Sequence, residues 1–231
     1  MPALSQQSAP DFTAARFNMV ESQIRPNKVR DARILQAMGA LPREMFVPMP
    51  LAGIAYIDED IEVAPGRFLL EPMVLARLLQ EAEIRPEDRA LDIAPASGYS
   101  TVVLSVLAKE VTAIESDAGL AARAAENLAR LQVRNADMQQ GPFATGWKAR
   151  APYDVILVNG SVEILPEALF AQLAEGGRLL VVVRQFGPAA VAHKGEARLY
   201  EKIHGNLSHR ALFDANVKLL PGFEAKRMFA F

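Results

Sequence analysis

Two acids and the loop between them carry the most readable chemistry in this sequence. Asp92 lies in Ala90-Leu-Asp-Ile-Ala-Pro-Ala-Ser-Gly-Tyr99, an apolar run that ends in a turn, and Glu115 closes the next apolar run, Val111 to Glu115. An acid at the end of a second strand can accept hydrogen bonds from both hydroxyls of a ribose. A dinucleotide loop carries glycine at its first, third and sixth positions. Counted from Ala94, the third position here is Ala96 and the only glycine is fifth, Gly98, so the spacing does not fit that site. Asp92, Ala94, Ala96, Gly98, Tyr99, Glu115 and Ser116 are the candidate contacts of a shorter strand-end loop. Four of these keep plain alternatives: Asp92 and Glu115, where cofactor contact is favoured, also suit strand-end polar residues near a helix, Gly98 also suits helix entry, and Tyr99 also suits a buried aromatic at a helix start.

The elements that position them follow from periodicity. From Arg89 onward, short apolar runs alternate with helical segments: strands at Ala90 to Ala94, Val111 to Glu115, Asn135 to Gln139, Val155 to Val158 and Leu179 to Arg184. Helices are predicted at Ser100 to Ala108, Gly119 to Leu131 and Glu167 to Ala174. This alternation predicts an α/β fold, a doubly wound, mostly parallel sheet with helices on both faces, whose ligands bind beyond the carboxyl ends of the strands. Residues 1–88 read as a helical and irregular extension. Phe12, Ala15, Met19 and Val20 mark one amphipathic helix and Ile34, Leu35, Met38 and Leu41 a second. A third begins at Glu71-Pro72, where proline suits the first turn and an acid suits the helix dipole. Asp58-Glu-Asp60 reads as a solvated loop. In the tail, Val191 to His193 and Leu199 to Ile203 flank Lys194-Gly195, which predicts an antiparallel hairpin appended to the sheet. The expectation is a single domain, with residues 89–186 as the Rossmann-like core and 187–231 as the antiparallel tail.

Composition narrows the class. At 231 residues and 51% hydrophobic content the chain can build one sizeable core. A net charge of −2 gives no broad basic footprint, so neither nucleic acid nor a membrane surface is an expected partner. With no cysteine, the chain has no disulfide, thiol nucleophile or cysteine-ligated zinc, which fits the cytoplasm. Residues 1–10 lack the basic-then-apolar pattern of a secretory signal. The longest aliphatic run, Leu179 to Val183, is far shorter than the about 20 residues a bilayer requires. The histidines, His193, His204 and His209, lack metal-ligand spacing, so no metal is expected.

Met19-Val-Glu-Ser-Gln-Ile24, Pro42-Arg-Glu-Met-Phe-Val-Pro48, Ala55-Tyr56, Leu91 to Tyr99, Ala151-Pro-Tyr-Asp-Val-Ile156 and Gln172-Leu-Ala-Glu-Gly-Gly-Arg178 occur in this order. Together they resemble the protein-L-isoaspartate O-methyltransferase family from about Val20 to about Val183. The resemblance implies S-adenosylmethionine as cofactor, a protein or peptide substrate, and methylation of the carboxylate of isomerised aspartyl residues. Such an acceptor, of pKa about 4, is already ionised at neutral pH and needs alignment rather than a base.

Three segments depart from the family pattern. Gly66-Arg-Phe-Leu-Leu-Glu-Pro72 puts Phe68 and Leu70 where the resemblance implies acceptor-side hydroxyls, with Glu71 beside them. Ala94 and Ala96 replace glycines around Pro95. In Gly141-Pro-Phe-Ala-Thr-Gly-Trp147, Pro142 replaces an adenine-side aspartate. Gly141 and Pro142 therefore join the cofactor-side candidates, and Phe68, Leu70, Glu71 and Asn159 the acceptor-side ones. Asn159-Gly160-Ser161 reads either as a border of the acceptor pocket or as a plain turn. Arg25 and Arg67 suit an anionic substrate chemically, but surface solvation is the expectation for both. A methyltransferase with a different acceptor, or a non-catalytic binding homologue, are the alternatives these departures leave.

Overall fold

A computed structural model describes residues 11–184 and 195–225. The N-terminal part is helical, as its periodicity predicts: α1 (Phe12–Asn18), a π-helical turn (Met19–Ile24) and α2 (Ala32–Ala40). Asp11 and Asp31 cap the two α-helices by accepting from backbone N–H groups of their first turns. The expected irregular stretch before the third helix is instead a hairpin, β1 (Ile61–Ala64) and β2 (Arg67–Leu69), paired antiparallel as a separate two-stranded sheet. Ile61, Val63 and Leu69 bury one face of this hairpin, while Pro65 and Gly66 at its tip are exposed. α3 (Pro72–Glu81) begins with proline at its first position and buries Val74, Leu75, Leu78 and Leu79.

The remaining strands form one seven-stranded sheet: β3 (Arg89–Ile93), β4 (Glu110–Glu115), β5 (Ala136–Gln140), β6 (Tyr153–Val162), β7 (Leu173–Arg184), β8 (Gly195–Ile203) and β9 (Asn206–Ala215), in the spatial order β5-β4-β3-β6-β7-β8-β9. The pairs from β5 to β7 are parallel and the last two are antiparallel. The helices α4 (Tyr99–Leu107), α5 (Ala118–Arg130) and α6 (Glu167–Phe170) connect the parallel strands. Side chains alternate across the sheet. Ala90, Val155, Leu157, Leu180 and Val182 pack with the N-terminal helices, α3, α4 and α5. Leu91, Ile156, Val158, Leu179 and Val181 pack with α6, Phe143 and the C-terminal Leu220 and Phe223. Both faces are covered, which is why these strands read as continuous apolar runs.

Two expectations shift in place. The helix predicted at Glu167 to Ala174 ends at Phe170, because Leu173 has joined β7 and pairs with Tyr153. The C-terminal hairpin exists, but its turn is His204-Gly205 rather than Lys194-Gly195. Both turn residues have positive φ, 52° and 74°, the conformation a two-residue hairpin turn demands. Gly195 lies inside the pairing instead, where a Cβ would stand 2.7 Å from the Ala215 carbonyl. Val191 to His193, predicted as the first arm, falls outside the described residues. Among those described, no helix is long and apolar enough to cross a membrane, and no group of three or more His, Asp or Glu side chains is placed to hold a metal.

Arg178 fastens the turn after α3 to the sheet, donating to the carbonyls of Ala82 and Glu83 and, at 2.6 Å, to the buried carboxylate of Asp88. Removing one partner of a buried pair leaves the other charge uncompensated. Arg178→Met is expected to lose about 3 kcal/mol in urea unfolding; a loss under about 0.5 kcal/mol would show that the pair contributes no more than a surface one.

Candidate active site

The order of the sheet reverses at β3, between β4 and β6, so the loop after β3 opens at the position where such sheets bind ligands. That loop follows a left-handed course: φ is 60° at Ala94, 53° at Ala96 and 95° at Gly98. For an L-residue this costs roughly 1–2 kcal/mol. Several contacts hold the strained course in place. The Ala94 N–H donates to the Ile114 carbonyl at 2.9 Å, the Ala96 N–H to Glu115 Oε2 at 3.0 Å and the Gly98 N–H to the Pro95 carbonyl at 2.9 Å. Ser97 Oγ donates to the Phe46 carbonyl, and Asn127 Nδ2 donates to the Ser97 carbonyl at 3.0 Å. Gly98 is needed twice over, for its φ and because a Cβ there would come within 3.1 Å of Ala124 Cβ.

Asp92 is fully buried beneath this loop. Its carboxylate accepts from Ser100 Oγ (2.8 Å), Thr101 Oγ1 (2.7 Å) and Asn159 Nδ2 (2.6 Å). Asn159 also donates to the Ile93 carbonyl at 3.0 Å, so it ties β6 to β3 rather than facing an acceptor. Gly160 and Ser161 are likewise covered: the C-terminal segment lays Leu220 over Gly160, and Ser161 Oγ donates to the Val217 carbonyl. Burial pushes the Asp92 carboxyl up to about 6, against the downward pull of its three hydrogen bonds.

Glu115 is the centre of the site, and all its acceptor positions are used. Oε1 accepts from the backbone N–H groups of Ser116 (2.9 Å) and Asp117 (3.2 Å), and Oε2 from Ala96 and, at 2.6 Å, from Arg67 Nη2. Arg67 corrects the surface expectation most sharply. Only 4% of it is exposed, its guanidinium lies 4.8 Å from the centroid of the Phe143 ring, and its Nε and Nη1 are buried without a partner. Sequence spacing gave no warning of this, because β2 lies far from β4 along the chain. Arg25, in contrast, is half exposed and pairs with Glu21 one helical turn away.

The other candidates are distributed as follows. Tyr99 is fully buried, packed edge-on to Phe46 (5.2 Å between centroids) and beneath the buried guanidinium of Arg43 (4.8 Å), which makes it a wall of the core. Ser116 is exposed beyond Glu115. Gly141 continues the β4–β5 pairing by donating to the Glu115 carbonyl, and Pro142 then begins the turn that presents Phe143. Leu70 is buried and Phe68 half-buried, with Lys218 Nζ 6.0 Å from the Phe68 ring centroid. Glu71 precedes α3 but makes no side-chain cap. Burial, reinforced by Asp58, Asp60 and Glu59, pushes its carboxyl up to about 7. The acidic loop is less solvated than predicted, since Asp60 is largely buried and accepts from the Glu71 and Lys218 N–H groups. His204 and His209 are exposed on the C-terminal hairpin.

This sheet, with a strand-end loop and an acid closing the neighbouring strand, defines a Rossmann-like methyltransferase fold. The sequence model of the family described as Protein-L-isoaspartate(D-aspartate) O-methyltransferase (PCMT) matches residues 15–212, and the chain belongs to that family. It is 40% identical over 172 residues to the protein-L-isoaspartate O-methyltransferase of Synechococcus sp. (strain JA-2-3B'a(2-13)), covering 74% of this chain and 70% of the relative. It is 39% identical over 177 residues to that of Methylorubrum extorquens (strain PA1), covering 77% of each. A solved Plasmodium falciparum protein described as a protein-L-isoaspartate O-methyltransferase, in complex with S-adenosyl-L-homocysteine, superposes with a TM-score of 0.73 at 21% identity, over 92% of this chain and 99% of that one.

The residues present fit the nucleoside end of S-adenosylmethionine in kind. Beyond its three backbone donors Glu115 Oε2 takes one more, and Phe143 offers a ring plane; Arg67 meets both requirements as a stand-in, with one N–H donor and a flat cation.

Asp92 yields a stability prediction. Its native carboxyl keeps its proton up to about pH 6, whereas the ordinary value is 3.8. The folded state therefore binds the extra proton between these values, and this group's contribution to stability falls as the pH rises through that window. The loss is on the order of 3 kcal/mol. Asp92→Asn is expected to flatten the slope of unfolding free energy between pH 4 and 6; an unchanged slope would rule out Asp92 as its source.

Proposed function

We propose that this chain is an S-adenosylmethionine-dependent methyltransferase that esterifies the carboxylate of isoaspartyl residues in proteins or peptides. The reading rests above all on Glu115: the strand-end acid is kept, and it faces a loop whose alanines hold the left-handed course that glycine would take. Family membership over residues 15–212 supports it. The absence of cysteine supports a cytoplasmic setting, and the buried cluster shared by the N-terminal helices and the sheet supports a single domain.

When bound, the cofactor supplies an electrophilic methyl group on a sulfonium. The chain's own part is positioning. With Arg67 withdrawn, Glu115 Oε2 would accept from a ribose hydroxyl, and Phe143 would border the base. Gly141 and Pro142 set the turn that carries that ring, while the loop Ala94 to Gly98 would border the amino-acid end. On the acceptor side, Phe68 and Leu70 form an apolar wall that excludes water, and Lys218 supplies a cation beside it. A carboxylate acceptor needs no general base, so the site has to align it and keep it dry. Glu71, titrating near 7, donates a hydrogen bond to an anionic acceptor when protonated and repels it when ionised.

Transfer of labelled methyl groups from S-adenosylmethionine to an isoaspartyl peptide, and not to its aspartyl counterpart, is the expected result; no transfer to either would contradict the reading. Glu115→Gln should lower kcat/KM at least about tenfold, equivalent to about 1.4 kcal/mol. The acceptor's KM should rise as the pH passes upward through about 7, where Glu71 becomes anionic. Glu71→Gln should remove that rise, and a rise that survives the substitution would locate the titration elsewhere.

A further inference from the structure

We propose that Arg67 is a displaceable plug in the nucleoside end of the cofactor cleft, so that the Arg67–Glu115 pair and cofactor binding exclude one another. The proposal rests on the cofactor reading above.

Four observations carry it. First, Glu115 has no free acceptor position: Ser116, Asp117, Ala96 and Arg67 donate to it, so a ribose hydroxyl can reach this carboxylate only by taking Arg67's place on Oε2. Second, Arg67 has the wrong partners for a residue built only for stability. Its Nε and Nη1 are buried without acceptors, an arrangement that costs free energy. An arginine whose burial is incompletely satisfied has less to lose on leaving than one held by its full set of bonds. Third, the flat guanidinium lies over Phe143 on the turn that follows β5, and one ring face cannot hold both this cation and a purine.

Fourth, the element that carries Arg67 is built to move. β1 and β2 form a two-stranded sheet that does not pair strand to strand with the main one, and such a ribbon is marginal by itself. β2 has three residues, pairing is irregular between Glu62 and Ala64, and the tip at Gly66 has φ 68° with no atom within 4 Å of a Cβ built there. The buried side chains Ile61, Val63 and Leu69 anchor the strands, so the outward movement is that of the exposed tip at Pro65 and Gly66 together with the Arg67 side chain.

The consequence is a conformational tax on loading. A protein whose competent state is a minor one shows an affinity reduced by that state's population, and a change that removes the plug restores it. Calorimetric titration of S-adenosylhomocysteine into wild type, Arg67→Ala and Arg67→Gln, together with the side-chain Nε–H resonance of Arg67 in arginine-labelled wild type, separates the outcomes. The proposal expects both variants to bind at least tenfold more tightly than wild type, and the Arg67 resonance to lose its buried position as wild type saturates. Equal affinities, or an unperturbed Arg67 resonance in a saturated complex, would overturn the plug while leaving the cofactor reading intact. No binding to any of the three proteins at millimolar ligand would overturn the cofactor reading, and the plug with it. The wild-type resonance needs no substitution, so a folding failure of either variant does not remove the test.

Discussion

A carboxylate buried at the end of a strand must be satisfied, and in this protein the site is organised around how Glu115 meets that requirement. Withdrawing its charge from water costs several kcal/mol unless donors surround it. The loop after β3 brings the Ala96 N–H, the start of α5 brings two more, and β2 brings Arg67 from the opposite side. These contacts determine where the loop lies, why the hairpin folds over the cleft, and what a ligand has to replace.

The loop shows how strain can be retained when its surroundings require it. Two alanines at positive φ cost roughly 1–2 kcal/mol each, yet the Ala96 N–H meets Glu115 only in this course. Asn127 and Ser97 fasten the next residues to α5 and to the segment before the hairpin. Below, Asp92 and Asn159 join β3, α4 and β6 in one buried network, so the floor of the cleft is a structural strap. The acid at Asp92 thus serves to fix the frame, and the acid at Glu115 gathers the loop after β3, the start of α5 and the hairpin. Strained backbone of this kind persists mainly where structure over-determines it, as at ligand-binding loops.

Much of the fold was legible in the sequence because parallel strands buried on both faces leave unbroken apolar runs, as at Val155 to Val158 and Leu179 to Val183. The loop, Gly98 and Glu115 were legible because spacing along a strand–loop–helix unit is local. The hairpin at Ile61 to Leu69 was not: its strands have four and three residues, too few for an alternating pattern to stand out beside an acidic loop. Arg67 was read as solvated because arginine normally is, and its partner Glu115 lies 48 residues further along the chain, in a different sheet. The ties of Asn159 to Asp92 and Ile93 were hidden for the same reason, since they exist only once β3 and β6 lie side by side. The C-terminal turn was placed too early because Gly195 looks like a turn residue, whereas close approach to Ala215 and Val182 is what requires glycine there.

The account stands or falls on whether one carboxylate serves two exclusive partners. A crystal structure of the wild-type protein saturated with S-adenosylhomocysteine tests this directly. The expected result is a ribose hydroxyl donating to Glu115 Oε2, the base beside Phe143, and the Arg67 guanidinium swung away from both with the tip of the hairpin. Ligand bound in the cleft with Arg67 still paired to Glu115 and still over Phe143 would contradict it.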